Sequence, residues 1–303
     1  METRPSRFYL PKFDGSPTTI LEYLVARFPQ VSAAVWHKRV TQGLVTLSDG
    51  TTLKEHSPYR HGLTVFYRKE VPSEPPLPED PVIVYRDEEI IVTDKPHGMP
   101  VTPSGQHIER SLFIRLQRIT ELPDLAPMHR LDMDTAGLVL FTIKSSTRGH
   151  YHQLFAEARI EREYEAIAHV DNRQDRTHWR IENRIESDEP WFLQRIVDGP
   201  VNAVTEIEWI GSESGMAQFR LFPKTGKRHQ LRLHMASIGC PIVGDPFYPT
   251  IRKKEGGEPP LQLLAKRLAF IDPLSGVPRN FMSTRNLIAV ALHKNYSSYD
   301  CLL

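Results

Sequence analysis

Five prolines (Pro72, Pro75, Pro76, Pro78 and Pro81) fall within the eleven residues from Val71 to Pro81, and no other feature limits the fold of this 303-residue chain as strongly. Each proline removes a backbone donor and fixes φ, so neither a helix nor a central strand runs through such a segment. Residues 71–81 read as an extended, semi-rigid linker between a small domain, 1–70, and a large one, 82–303.

Upstream, Ile20, Leu21, Leu24 and Val25 have helical spacing, as do Val35, Trp36 and Val40, which predicts helices over Thr19–Arg27 and Ser32–Gln42. Strands follow at Leu44–Leu47 and Leu63–Tyr67, with a turn at Ser48-Asp49-Gly50 after the first. The order describes a small α+β module. Downstream, Val82–Tyr85 and Ile90–Thr93 read as a hairpin, and further strands are expected at Gly137–Ile143, Tyr164–Val170, Trp191–Ile196, Ala203–Ile210 and Ala217–Phe222. Helices are expected at Ser111–Arg118, Ser145–Ala158 and Lys227–Ile238, the last with Thr225 as N-cap and Gly239 as stop. Strands mostly follow one another without helical crossovers, so the large domain should be α+β with a mainly antiparallel sheet.

Arg4, Arg7, Lys12, Asp14, Glu22 and Arg27 break up any signal-peptide core, and eighteen apolar residues nowhere run together. Cys240 and Cys301 are too few for a disulfide framework and too far apart for a C-x-x-C metal site. A cytoplasmic protein with no membrane segment is expected. The net charge of +1 hides an asymmetry: from Ser214 to Gly244 there is no acidic residue, while Arg220, Lys224, Lys227, Arg228 and Arg232 are all basic. Such a stretch is either a solvated basic face or a place where phosphates are held.

The segment from Met128 to Leu138 packs polar groups between a proline-containing approach and an apolar strand. If its backbone is extended, Arg130 and Asp132 point to the same side and could act on one ligand; a structural ion pair or turn is the alternative. The string His129-Arg130-Leu131-Asp132-Met133-Asp134-Thr135-Ala136-Gly137-Leu138 closely resembles the H-R-L-D-x-x-T-S-G-L signature of the RluA family of pseudouridine synthases, with Ala136 in place of Ser. Pro223-Lys224-Thr225-Gly226-Lys227-Arg228-His229-Gln230-Leu231-Arg232-Leu233-His234 is similar to that family's P-x-T-G-R-x-H-Q-I-R-x-H, with Lys227 where Arg is usual. Arg162-Glu163-Tyr164-Glu165-Ala166 and Lys95-Pro96-His97-Gly98-Met99-Pro100-Val101 resemble two more of its motifs, in the right order.

The resemblance implies a pseudouridine synthase catalytic domain over 82–303 that isomerises uridine in ribosomal or transfer RNA. It makes Asp132 the nucleophile, Arg232 the cation paired with it and Tyr164 the ring that stacks on the target base. It also implies that Arg130 fills the space left by a flipped base and that His129 beside it touches the RNA. Without the motifs, Arg232 would read as a surface ion pair and Tyr164 as core. Arg228 and Arg232 would share a helical face, and Lys227 and Arg228 are expected to meet phosphates. Residues 1–70 take the place of a small RNA-binding domain, with Lys38 and Arg39 as candidate contacts.

No metal is expected: on a helix, His229 and His234 would diverge by about 140°. No phosphate-cradling glycine motif is present either, and the isomerisation involves no redox change or group donor, so no cofactor is expected. A monomer with RNA as its partner is the reading. Two others stand beside it: a catalytically idle RNA-binding or ribosome-assembly factor, and a glycoside hydrolase acting on nucleosides, which would need Asp134 or Asp245 as a second acid.

Overall fold

The structure, a computed structural model, describes residues 6–12, 17–29, 31–67, 79–104, 107–170, 176–190 and 192–288. The chain divides into two compact units, Met1–Ser73 and Glu74–Leu303. Most of the proline-rich linker, 71–78, lies outside the described residues, as do Trp191 and Cys301.

The first unit runs β1 (Ser6–Tyr9), α1 (Ile20–Arg27), α2 (Ala33–Thr41), β2 (Val45–Leu47) and β3 (Thr64–Tyr67). Thr19 and Glu22 start α1 as a capping box: Glu22 N–H donates to Thr19 Oγ1 at 3.1 Å, and Thr19 N–H donates to Glu22 Oε2 at 3.2 Å. Leu24, Trp36, Val40, Val45 and Val65 bury together against the antiparallel sheet β1-β3-β2. The strand β1 was not expected, because four residues are too few to display an alternation; it forms by pairing with β3, Phe8 opposite Val65.

The second unit begins with β4 (Val82–Arg86), β5 (Ile90–Lys95), α3 (Leu112–Thr120), β6 (Ala126–Pro127) and β7 (Ala136–Thr142). It continues through α4 (Arg148–Ala156), β8 (Ile160–His169), β9 (His178–Ser187), β10 (Gln194–Val197) and β11 (Ala203–Glu213). The last elements are β12 (Met216–Pro223), α5 (Gln230–Ser237), β13 (Leu263–Ile271) and β14 (Pro278–Met282). Eleven strands form one sheet in the order β10-β9-β11-β12-β8-β13-β7-β5-β4, with β14 on β13 and β6 on β7. Both faces of its centre are covered. Ile91, Val139 and Phe141 pack on one side with Phe219 and Met235, while Ile90, Val92, Leu138 and Leu140 pack on the other with Tyr151 and Phe270. That two-sided burial is why β5 and β7 read as continuous apolar runs.

The sheet is mixed because β13 and β7 pair in parallel, Leu264 opposite Ala136 and Ala265 opposite Gly137. Gly137 has φ +110°, and a Cβ there would stand 2.3 Å from the Ala265 carbonyl oxygen. Only glycine permits this approach. The seam fixes the start of β7 and with it the loop that carries Asp132.

One expected helix begins later than its sequence suggests. Its first residue is Gln230, with His229 at the N-cap in the left-handed region (φ 55°), and Thr225 caps nothing. Thr225 Oγ1 instead accepts from Val204 N–H and donates to Gln230 Oε1, both at 2.8 Å, and the Gln230 amide donates to Val204 O at 3.0 Å. This network ties residues 224–229 to β11 as a loop. Arg228 therefore precedes α5 and does not share a helical face with Arg232.

Candidate active site

The loop before β7 is held from behind, through its backbone. Lys95, buried at the end of β5, donates from Nζ to three carbonyls: Met99 at 2.7 Å, Met133 at 3.0 Å and Pro96 at 3.1 Å. Burial pushes this ammonium down to about 7, against the pull of Asp134 and then Asp132. His97 Nδ1 donates to Asp134 O at 2.6 Å, and Thr135 N–H donates to Asp132 O at 3.2 Å. With the backbone so engaged, the Asp132 carboxylate, 28% exposed, lines the cleft in front.

His129, expected to touch RNA, lines the cleft and also supports β7. Burial, and secondarily Arg162, push its ring down to about 3, so it is neutral, and Nε2 accepts from Leu140 N–H at 3.1 Å. Its ring stacks on Phe155 with centroids 4.9 Å apart. Arg130, the next residue, is exposed at the cleft.

Arg232 rises from the first turns of α5 with its side chain only 2% exposed. Its main partner is not Asp132. Nε and Nη2 form a fork onto Asp245, at 2.8 and 2.6 Å, whereas Nη1 reaches Asp132 Oδ2 at 3.4 Å. The guanidinium also lies over Phe247 and Tyr248, 5.0 and 5.4 Å from their ring centroids. Burial, the largest influence, opposes its charge, but Asp245, with Asp132 and Tyr248 adding to it, holds the guanidinium above its ordinary value. Asp245 was considered only as a water-activating acid, and its position excludes that use. Its side chain is 1% exposed, and its oxygens also accept from Phe247 N–H at 2.8 Å and Tyr248 N–H at 3.2 Å. Gly244 makes the approach possible, since a Cβ there would stand 2.5 Å from Pro260 O.

Tyr164, on β8 between Leu221 of β12 and Ala265 of β13, is nearly buried and lines the same cleft. Burial pushes its phenol up, Arg162 works against this and Asp132 adds to it. Three residues that sequence reasoning left unassigned also bear on the site. Arg162 donates to Pro223 O and Thr225 O at 3.2 and 3.3 Å, bracing the loop opposite Asp132. His229 Nε2 stands 3.8 Å from Asp132 Oδ2, and Tyr248 Oη stands 2.9 Å from His229 Nδ1. The matched motifs contained Arg162 and His229, but nothing in their spacing reveals these contacts.

The cleft encloses about 660 Å³. Arg130, Arg162, Lys224, Lys227, Arg228 and Arg232 line it, and Asp132 is the one carboxylate among its lining residues. Lys38 and Arg39 belong to the first unit, where Arg39 is buried with its guanidinium over Trp36 and Tyr67, 5.0 and 5.8 Å from their centroids. Packing, not phosphate contact, accounts for Arg39. His234 meets Thr205 Oγ1 and Asn183 Oδ1, and among the described residues no group of His, Cys, Asp and Glu is arranged to hold a metal.

Residues 89–237 match the family model described as RNA pseudouridylate synthase. The dual-specificity RNA pseudouridine synthase RluA of Haemophilus influenzae is 30% identical over 215 residues, covering 68% of this chain and 94% of that protein. Its namesake from Vibrio cholerae is 30% identical, covering 65% and 81%. Among solved structures, human RNA Pseudouridylate Synthase Domain Containing 4 superimposes with a TM-score of 0.52 at 25% identity, covering 68% of this chain and 88% of that one. Human RNA Pseudouridylate Synthase Domain Containing 1 gives 0.58 at 21% identity over 70% and 86%, a likeness of fold. With three of its four motifs lining one cationic cleft and the fourth bracing the Asp132 loop from behind, the chain belongs to the RluA family of RNA pseudouridine synthases.

Proposed function

We propose that this cleft converts a particular uridine of ribosomal or transfer RNA to pseudouridine, with Asp132 as nucleophile, Arg232 as its cation and Tyr164 as the surface on which the target base lies. The reaction breaks the bond from ribose to the ring nitrogen, turns the base while it is held, and joins the ribose to C5. The C5 proton leaves and the ring nitrogen gains one, so substrate and product are isomers. Such chemistry calls for an ionised carboxylate at the reacting centre and a fixed cation to balance charge on the detached uracil. The observation that carries this reading is that Asp132 is the single carboxylate on a cleft wall bearing six Lys and Arg side chains.

Reaching a stacked uridine requires flipping it out, at a cost of roughly a few kcal/mol. Arg130 at the cleft rim is suited to enter the vacated space, and Lys227 and Arg228 to hold the flanking phosphates. Lys38 and the first unit would add a second RNA contact. We read the protein as a cytoplasmic monomer that needs no cofactor, since an isomerisation consumes no co-reactant; Cys240 is a buried free thiol, and among the described residues no helix is long and apolar enough to cross a membrane. Mapping pseudouridine across total RNA from cells with and without this protein tests the reading. Sites in ribosomal or transfer RNA that vanish with the protein support it; an unchanged map contradicts it.

A further inference from the structure

We propose that His229 is a positioning residue for Asp132: held as its Nε2–H tautomer by Tyr248, it steadies Oδ2 together with Arg232 and leaves Oδ1 as the oxygen that attacks the substrate. The inference rests on the reading of Asp132 as nucleophile.

The argument begins at the edge strand. The Gln194 peptide N–H, which can only donate, donates to Tyr248 Oη at 2.9 Å. The phenol then has one proton to place, and two acceptors lie in reach: His229 Nδ1 at 2.9 Å and Gln194 O at 3.2 Å. Were the proton given to Gln194 O, His229 would have to donate from Nδ1 and turn the lone pair of Nε2 toward a carboxylate oxygen 3.8 Å away. Given to His229 Nδ1, it leaves Nε2–H facing that oxygen. The shorter contact and the sign of the charge select the same tautomer.

The ring is fixed in other ways as well. It packs against Phe247 and Tyr248, with centroids 5.8 and 5.6 Å away, and its backbone occupies the left-handed region, which only a few per cent of non-glycine residues adopt, Asn, Asp and His foremost among them. An uncommon backbone conformation at a residue lining the cleft fits a positional requirement. Burial, foremost, pushes the ring down to about 4; Asp132 and Asp245 favour its charge, while Arg232 and Arg228 oppose it. His229 is therefore neutral across the working range, and what the site uses is its tautomer. Both Arg232 Nη1 and His229 Nε2 approach Oδ2, from α5 and from its N-cap, so the carboxylate is held on one oxygen. The 3.8 Å separation exceeds a hydrogen bond and is of the kind that tightens when substrate fills a site.

Three variants of the full chain test this under steady-state conditions, on an RNA containing a uridine the wild type converts. His229→Asn keeps an amide near the Nδ1 position and cannot reach Oδ2; His229→Gln can present an N–H where Nε2–H stood; Tyr248→Phe keeps the ring and removes the proton that sets the tautomer. His229→Asn is expected to lower kcat about ten- to hundredfold with KM within about threefold, a loss proportionate to a carboxylate misplaced by around 1 Å. His229→Gln is expected to recover at least roughly a third of the logarithmic loss, and Tyr248→Phe to move the acid limb of the pH–rate profile upward. Equal behaviour of the Asn and Gln variants, both impaired or both normal, overturns the inference. If His229→Asn does not fold, Tyr248→Phe decides: wild-type kcat with an unmoved acid limb overturns it. Asp132→Asn is run alongside; turnover by that variant would instead remove the nucleophile reading.

Discussion

The fork between Arg232 and Asp245 makes a strong demand on a residue that touches no substrate. Both side chains are nearly inaccessible, 2% and 1% exposed, and their two contacts are 2.6 and 2.8 Å. An exposed ion pair of this type contributes about 0–1 kcal/mol, but removing one partner of a buried pair leaves an uncompensated charge and costs about 3–5 kcal/mol. Asp245→Asn can keep an acceptor for the Phe247 and Tyr248 N–H groups, yet it faces the guanidinium with an amide instead of a second carboxylate oxygen. The expected destabilisation is about 3 kcal/mol, read as a lower urea midpoint at unchanged slope. Because the fork aims Nη1 at Asp132, turnover should also fall about a hundredfold, the scale of a 1 Å misplacement. Arg232→Met added to Asp245→Asn should restore part of the lost stability by removing the stranded charge, and none of the activity. An Asp245→Asn protein within about 0.5 kcal/mol of wild type, converting uridine at the normal rate, would refute the reasoning.

Lys95 gives a pH test of stability. Its folded value of about 7 lies below the ordinary 10.5, so between those limits the unfolded chain holds a proton that the folded chain has released. Stability then rises with pH through this window, offset by the N–H donor that the folded amine gives up among its three carbonyls. Lys95→Met should flatten the rise; parallel denaturation midpoints for both proteins from about pH 6 to pH 10 would contradict it. RNA affinity should fall steeply with salt, each neutralised single-strand phosphate contributing about −0.7 to the log–log slope. Reversing Lys227 and Arg228 to Glu should flatten that slope more than Lys38→Glu does, and the opposite order in filter binding would move the main electrostatic grip to the first unit.

How much could be read from the chain differs between the loop and its supports. Asp132, Tyr164 and Arg232 were named from motifs, and they line one cleft although Asp132 and Arg232 lie a hundred residues apart. Spacing could not reveal that the guanidinium is anchored on Asp245, because that contact depends on Gly244 letting the chain pass against Pro260 O. The start of α5 was misplaced because Thr225 is a good N-cap residue by type. Its hydroxyl is taken by Val204 and Gln230, a tertiary contact that local preference cannot anticipate. The alternation of β9 is real, with Trp179 and Ile185 inward, but its charged outer face masked it. His129 has the opposite lesson: a polar residue in the motif that carries Asp132 is neutral and holds the backbone of β7.

The central claim is that the Asp132 carboxylate performs the isomerisation in this cleft. Single-turnover conversion of a verified target RNA by wild type and Asp132→Asn, with binding measured in parallel, tests it most directly. The substitution removes the charge and keeps the shape, so pseudouridine formation should be abolished while RNA affinity stays within a few-fold. Normal conversion by the Asn protein would take Asp132 out of the mechanism.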